Sequence, residues 1–288
     1  MDKANCVIIG CAKNVAIQLP KTLEKIEAIR SLWGQAAVVI AENGSTDGTK
    51  RMLEDYKTKP HTHILTLDSS ANAIPSRTQR LALIRNTLMT FVHATYPTYD
   101  YILNVDMDGV LDGLDPKTLA FAFKPSMPAW DALFANVRGS YYDVWALRSK
   151  FLAFDYDCWD MVRHCMIQFG MSRADARQGF VLNKQFTLPF NPRSLVPVES
   201  AFGGLGLYRL SKTRDCRYVG LTQECSCKGV LDFGSEVLPV NVAQPHSNNP
   251  CAPETCEHVA FHRDMISKHG AKMFIHSQIL VKTQQEHL

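Results

Sequence analysis

The chain has 288 residues, 46% of them hydrophobic and 20% charged, which gives it apolar mass for a sizeable core and sets it apart from a disordered chain. Its 31 Lys and Arg against 28 Asp and Glu leave a net charge of +3 with no basic blocks, so no nucleic-acid partner is expected. No apolar run approaches the ~20 residues of a membrane-spanning helix, and Met1–Asn5 leads into a short apolar run without a signal-peptide layout, so a cytoplasmic protein with no transmembrane segment is expected.

The first half alternates strand and helix signals. Val7–Ile9 reads as a strand, and Leu19, Leu23 and Ile26 recur at helical spacing behind it, with Pro20 suited to a first turn. Val38–Ile40 is a second strand, leaving through the polar loop Glu42-Asn43-Gly44-Ser45-Thr46-Asp47 towards a helix marked by Met52, Leu53 and Tyr56. A third strand covers His63–Leu67. Leu81, Ile84, Leu88 and Phe91 mark one face of a long helix, and the fourth strand, Tyr101–Val105, runs straight into Asp106-Met107-Asp108-Gly109. This alternation predicts a mostly parallel sheet covered on both faces, with the Glu42 and Asp106 loops on one ligand-binding rim at the strands' carboxyl ends.

The second half is less regular. Ala132–Val137 and Asp143–Leu147 read as strands, and Arg173–Pro197, with Pro189 and Pro192, as a long irregular connection. Ala201–Gly206 is a glycine-rich turn before another strand. Past Asn241 a stretch rich in Pro and Asn precedes a helix over Cys256–Lys268 and a last strand from Lys272 to Ile275. The whole is expected to form one domain of two halves, 1–110 and 111–288, which the resemblance described below implies to be nucleotide-binding and acceptor-binding.

Two carboxylates two residues apart at a strand end, Asp106 and Asp108, can converge on one hard cation, Mn²⁺ or Mg²⁺, together with the oxygens of a substrate diphosphate. Two solvated turn aspartates are the plain alternative. Asp-Met-Asp-Gly-Val-Leu also fits a haloacid-dehalogenase-like phosphatase with Asp106 as nucleophile and Asp108 as acid/base, but the later acidic pair that such enzymes need is missing, since no Asp-Asp occurs in the chain. Arg77 and Arg85 stand eight residues apart and can share one helix flank, where they could grip phosphate oxygens. Glu257-His258 opens the last helix, His262 follows at i+4 from His258, and His276 lies at the end of the final strand. Nine cysteines, among them Cys216, Cys225, Cys227, Cys251 and Cys256, lack the C-x-x-C pairs of a structural zinc site and suit a reducing compartment.

In order along the chain, Val39–Thr49, Arg77–Asn86, Tyr101–Asp108, Tyr142-Asp143-x-Trp145-x-x-Arg148, Phe202-Gly203-Gly204 and Cys256–Met265 resemble the GT-A class of nucleotide-sugar glycosyltransferases. The pattern is most similar to the capsule-associated mannosyltransferase type, and more loosely to procollagen galactosyltransferases. The full Asp-x-Asp departs from the capsule type, which often keeps a single acid there. The resemblance implies a GT-A (Rossmann-like) α/β/α sandwich and transfer of a hexosyl or pentosyl group from a UDP- or GDP-sugar to a hydroxyl of a glycan or glycoprotein acceptor. It implies donor binding by Glu42, Arg77, Arg85 and Asp106, and a Mn²⁺ or Mg²⁺ site of Asp106, Asp108 and His276, with His258 or His262 as other candidates for the third ligand. Trp145, Gly203 and Gly204, with Tyr141 and Tyr142 nearby, would face the acceptor. Glu257 would be the catalytic base of an inverting enzyme, or an orienting group in a retaining one. The alternatives beside the phosphatase are a sugar-phosphate nucleotidyltransferase, which Gly10-Cys11-Ala12-Lys13-Asn14 fits poorly, and a catalytically inactive sugar-binding protein on the same fold.

Overall fold

A computed structural model of the chain describes residues 1, 3–67, 73–188, 195–221 and 254–283. In the first half β1 (Asn5–Ala12), α1 (Leu19–Arg30), β2 (Gln35–Glu42), α2 (Thr49–Tyr56), β3 (Thr62–Thr66), α3 (Arg77–Thr95) and β4 (Tyr101–Asp106) alternate as the periodicity predicts. β1 and β2 are buried along most of their length, on both side-chain faces. That explains why they read as continuous apolar runs, not as alternating ones. Pro20 sits in the first turn of α1, which buries Leu19, Thr22, Ile26 and Ile29. Ser76 caps α3 by accepting a hydrogen bond from the Gln79 amide, an arrangement that contributes about 1 kcal/mol.

The second half contributes β5 (Ala132–Val137), β6 (Ser140–Tyr141), α4 (Cys158–Phe169), α5 (Arg173–Phe180), β7 (Phe186–Thr187), β8 (Leu195–Pro197), β9 (Leu205–Arg209), α6 (Glu257–His269) and β10 (Met273–Val281). Eight strands form one sheet in the order β3-β2-β1-β4-β9-β5-β10-β8, while β6 and β7 pair apart from it. Only β9 and β8 pair antiparallel to their neighbours within that sheet. The protein is therefore an α/β structure with a large, mostly parallel central sheet, continuous from the first half into the second.

Two expectations need correction. Asp143–Leu147 is not a strand: Val144–Ala146 form a turn, in which the Asp143 carboxylate accepts from the Ala146 amide. The stretch from Arg173 to Pro197 is not an irregular connection over its described part, which holds α5, β7 and β8. Helix α4 went unanticipated. Pro189, Pro192, the stretch after Asn241, and Cys225, Cys227 and Cys251 lie outside the described residues. Cys6, Cys11, Cys158, Cys165, Cys216 and Cys256 are free thiols, and among the described residues no helix is long and apolar enough to cross a membrane.

The topology sets the site. From β1 the chain builds β2 and β3 on one side and then crosses to β4 on the other, so the order reverses between β1 and β4. In open α/β sheets that reversal leaves a crevice beyond the strands' carboxyl ends. The register brings Glu42 opposite Ala12 and Asp106 opposite Cys11, which sets both acidic loops on one rim, either side of β1.

Candidate active site

The rim is assembled by its own polar side chains. The Glu42 carboxylate accepts from the amides of Gly44 at 3.2 Å and Ser45 at 2.6 Å, folding the β2 exit back on itself. The Asn14 side-chain oxygen accepts from the Thr46 amide at 2.8 Å, and Asp47 accepts from Ala16 and Thr49 amides. These bonds lace the β1 and β2 exits into one wall. Glu42 is 2% exposed and does not line the cavity beside that wall; its neighbour Asn43 does.

That cavity, about 630 Å³, lies over the β1–β4 crevice. Asp106, Asp108, Asp143 and Glu257 line it together with Lys13, Arg77, Arg85 and Arg177. Arg85 organises its floor. Reaching in from α3 and only 4% exposed, it pairs with the Glu257 carboxylate through Nη1 and stands 3.6 Å from Asp106 Oδ1 through Nη2. The rings of Phe202 and Tyr218 lie 5.5 and 6.0 Å from its guanidinium carbon. Asn86, one residue on, fixes Tyr218 by exchanging two 2.9 Å hydrogen bonds with its backbone. Arg77 opens the same helix as an exposed residue at the cavity mouth, so both arginines meet the cavity as their spacing suggests.

Burial, followed by the charge of Asp108, pushes the Asp106 carboxyl up to about 7, although Arg85 pulls the other way. The Asp106 side chain still keeps about a third of its surface open. Four carboxylates meet Lys13, Arg77, Arg80, Arg85 and Arg177 around one cavity, and Arg85 is the buried arginine among them.

On the far wall Asp143 accepts from the Gly203 amide at 2.8 Å, and the Gly204 carbonyl accepts from the Asp106 amide at 2.9 Å. Gly203 and Gly204 have φ of +63° and +85°, and a Cβ on Gly204 would sit 2.7 Å from Val110 Cγ1. These glycines therefore hold the turn that seats Asp106. They do not line the cavity, whereas Phe202 does. Trp145 lines it half-buried, with its ring nitrogen donating to Asp157 at 3.0 Å. Tyr142 and Trp159 stand on the same wall, while Tyr141 is fully buried and away from it.

The histidines separate. His276 lies in β10, which two strands, β9 and β5, separate from β4, a gap of about 14 Å at ordinary strand spacing. It does not line the cavity, and burial pulls its pKa down to about 4, so the structure does not bring it to Asp106 and Asp108. His262 is fully buried and spends both ring nitrogens, on Ser200 at 2.8 Å and Tyr208 at 3.1 Å, so the i, i+4 pair with His258 is no chelate. Among the described residues no group of three or more His, Cys, Asp or Glu side chains converges to hold a metal by itself. Two carboxylates completed by substrate phosphates and water are, however, a common set for Mg²⁺, and Asp106 and Asp108 are the two that could serve in one here.

Burial lowers the His262 pKa from 6.5 to about 3. A histidine depressed on folding contributes stability that is present above pH 6.5 and drains away as the pH falls towards the folded value. Acidification from pH 7 to 4.5 therefore should cost the wild type roughly 3 kcal/mol more than it costs His262→Gln, at 1.36 kcal/mol per unit. Urea midpoints at the two pH values measure this difference, and parallel curves for the two proteins would contradict it.

Several cavity residues escape the sequence reading. Arg177 comes from α5, a helix that buries only Ala176 and so shows no apolar periodicity. Its readable signal is Ser172-x-x-Asp175, in which the Ser172 side chain accepts from the Asp175 amide as an N-cap. Asn14, Asn43 and Trp159 carry no comparable signal.

No family model matches the sequence, and no curated relative does. Among solved structures the chain is similar to S. aureus TarS residues 1–349 (TM-score 0.47, 12% identity, 97% of this chain and 60% of that one), which has also been solved with UDP-GlcNAc. It is similar too to the mannosyltransferase PcManGT from Pyrobaculum calidifontis in complex with GDP-Man and Mn²⁺ (0.46, 13%, 98% and 57%). A third is glucosyl-3-phosphoglycerate synthase from Mycobacterium tuberculosis with UDP (0.36, 12%, 73% and 58%). The chain spans about 60% or less of the length of each of these structures.

Proposed function

We propose that the protein is a GT-A glycosyltransferase that moves a hexosyl or pentosyl group from a UDP- or GDP-sugar to a hydroxyl of a glycan or glycoconjugate, in the manner of the capsule-associated type. One observation carries this reading: Asp106 and Asp108 open into the crevice at the β1–β4 reversal, backed by the buried Arg85–Glu257 pair, in a cavity large enough for a nucleotide sugar. The nucleoside end lies against Asn14, Asn43 and Lys13, and Arg77 meets the phosphates. Asp106 and Asp108 would hold Mn²⁺ or Mg²⁺, and the bound ion would supply positive charge against the diphosphate leaving group. Tyr142, Trp145, Trp159 and Arg177 form the acceptor wall.

Glu257 faces the reacting region with its carboxylate paired to Arg85. That pairing fixes the carboxylate in place, which suits orientation of the sugar better than proton abstraction, and it favours the retaining outcome. Asp108→Ala tests the reading: Mn²⁺-dependent binding of the nucleoside diphosphate should fall below detection in calorimetry while the fold is kept. Undiminished binding would remove the metal assignment.

A further inference from the structure

His258, the second residue of α6, lines the cavity at 3% exposure, yet neither Nδ1 nor Nε2 has a hydrogen-bond partner among the described residues. Buried polar groups are nearly always paired, and His262, one turn on, obeys that rule with Ser200 and Tyr208. The contrast on one helix is sharp.

The His258 ring is also held in place. Phe202 stacks on it at 4.0 Å with planes 21° apart, His262 lies near-parallel at 5.7 Å, and Tyr218 meets it edge-on at 5.5 Å. These aromatic contacts fix the plane of the ring and leave the nitrogens on its edge. The nearest acid, Glu257 Oε1, is 4.0 Å from Nε2 and is engaged by Arg85. Burial and the Arg85 charge hold the imidazole neutral, so its edge presents one N–H donor and one acceptor nitrogen. A phosphate, which only accepts, satisfies half of that edge. A hydroxyl both donates and accepts, and so matches either nitrogen.

We propose that His258 is the hydrogen-bonding contact for a hydroxyl of the sugar carried on the nucleotide donor. The assignment rests on the glycosyl-transfer reading above. It fits the layout, because His258 adjoins Glu257, whose partner Arg85 reaches Asp106, so the ring stands beside the place where a diphosphate gives way to its sugar.

The test compares the wild-type chain, His258→Phe and His258→Asn by calorimetry with Mn²⁺ present, using UDP against UDP-GlcNAc and GDP against GDP-mannose. In the pair that binds, His258→Phe should leave the nucleoside diphosphate within twofold and weaken the nucleotide sugar about tenfold, the worth of a hydrogen bond of ordinary strength. His258→Asn, which keeps a donor and an acceptor, should recover part of that loss, and it carries the comparison if the Phe variant does not fold. Equal weakening of both ligands, or of neither, overturns the assignment and leaves the transferase reading standing. A wild type that binds no nucleoside diphosphate removes both together.

Discussion

Arg85→Ala should destabilise the protein by roughly 3–5 kcal/mol, the usual consequence of removing one partner from a buried ion pair, and should abolish donor binding. Arg85 is the cation that faces both Glu257 and Asp106, and burial alone would lower its pKa; Glu257, Cys11, Asp106 and Tyr218 together more than offset this. Without the guanidinium, Glu257 is a buried carboxylate with no counter-charge, and Asp106 meets the charges of Asp108 and Asp143 unaided. Arg85→Lys should recover little, because a single ammonium cannot span two carboxylates as a planar fork does. The double variant Arg85→Ala/Glu257→Ala should lose less than the sum of its parts, since it strands no buried charge. Urea unfolding of the set measures this; additive losses would mean that the two side chains act independently.

Asp157→Ala should be as damaging, although Asp157 is outside the cavity. Its carboxylate is 1% exposed and accepts from Arg148 Nη2, Trp145 Nε1 and the Thr255 hydroxyl on one oxygen, and from the Trp159 and Asp160 amides on the other. Burial raises its pKa even with Arg148 alongside, so desolvation outweighs the pairing. Truncation leaves the buried Arg148 guanidinium without its carboxylate, at roughly 3–5 kcal/mol, and uncaps α4 for about 1 more. Set against the 5–15 kcal/mol of a typical domain, the variant should lie close to unfolding at 37 °C. Asp157→Asn keeps the cap and the Trp145 contact, and its urea midpoint should fall between those of Ala and wild type. An Ala variant of near-native midpoint would contradict the account.

The two residues show how the sequence divides into legible and illegible parts. β1, β2, β4 and β5 are readable because strands buried on both faces must be apolar throughout, and Asp106-x-Asp108 is readable because it ends such a strand. Segment 143–147 misleads because Val144, Ala146 and Leu147 are buried in a turn, held by Asp143 and by Arg148 donating to the Trp145 and Leu147 carbonyls. Apolar composition alone does not separate such a turn from a strand. His276 looks equivalent to other late histidines until the strand order is known, since its distance from Asp106 depends on β9 and β5 lying between. The Arg85–Glu257 pair joins residues 172 apart in sequence, and no local pattern announces it.

The central claim is that the rim between β1 and β4 binds a nucleoside diphosphate through a divalent cation at Asp106 and Asp108. It is tested most directly by calorimetric titration of UDP, and separately of GDP, into the 288-residue chain with Mn²⁺ and again with chelator. The account predicts saturable binding of one of the two nucleotides when Mn²⁺ is present, weakened at least a hundredfold by chelation. Binding of equal strength with and without the metal, or no binding of either nucleotide, would contradict it.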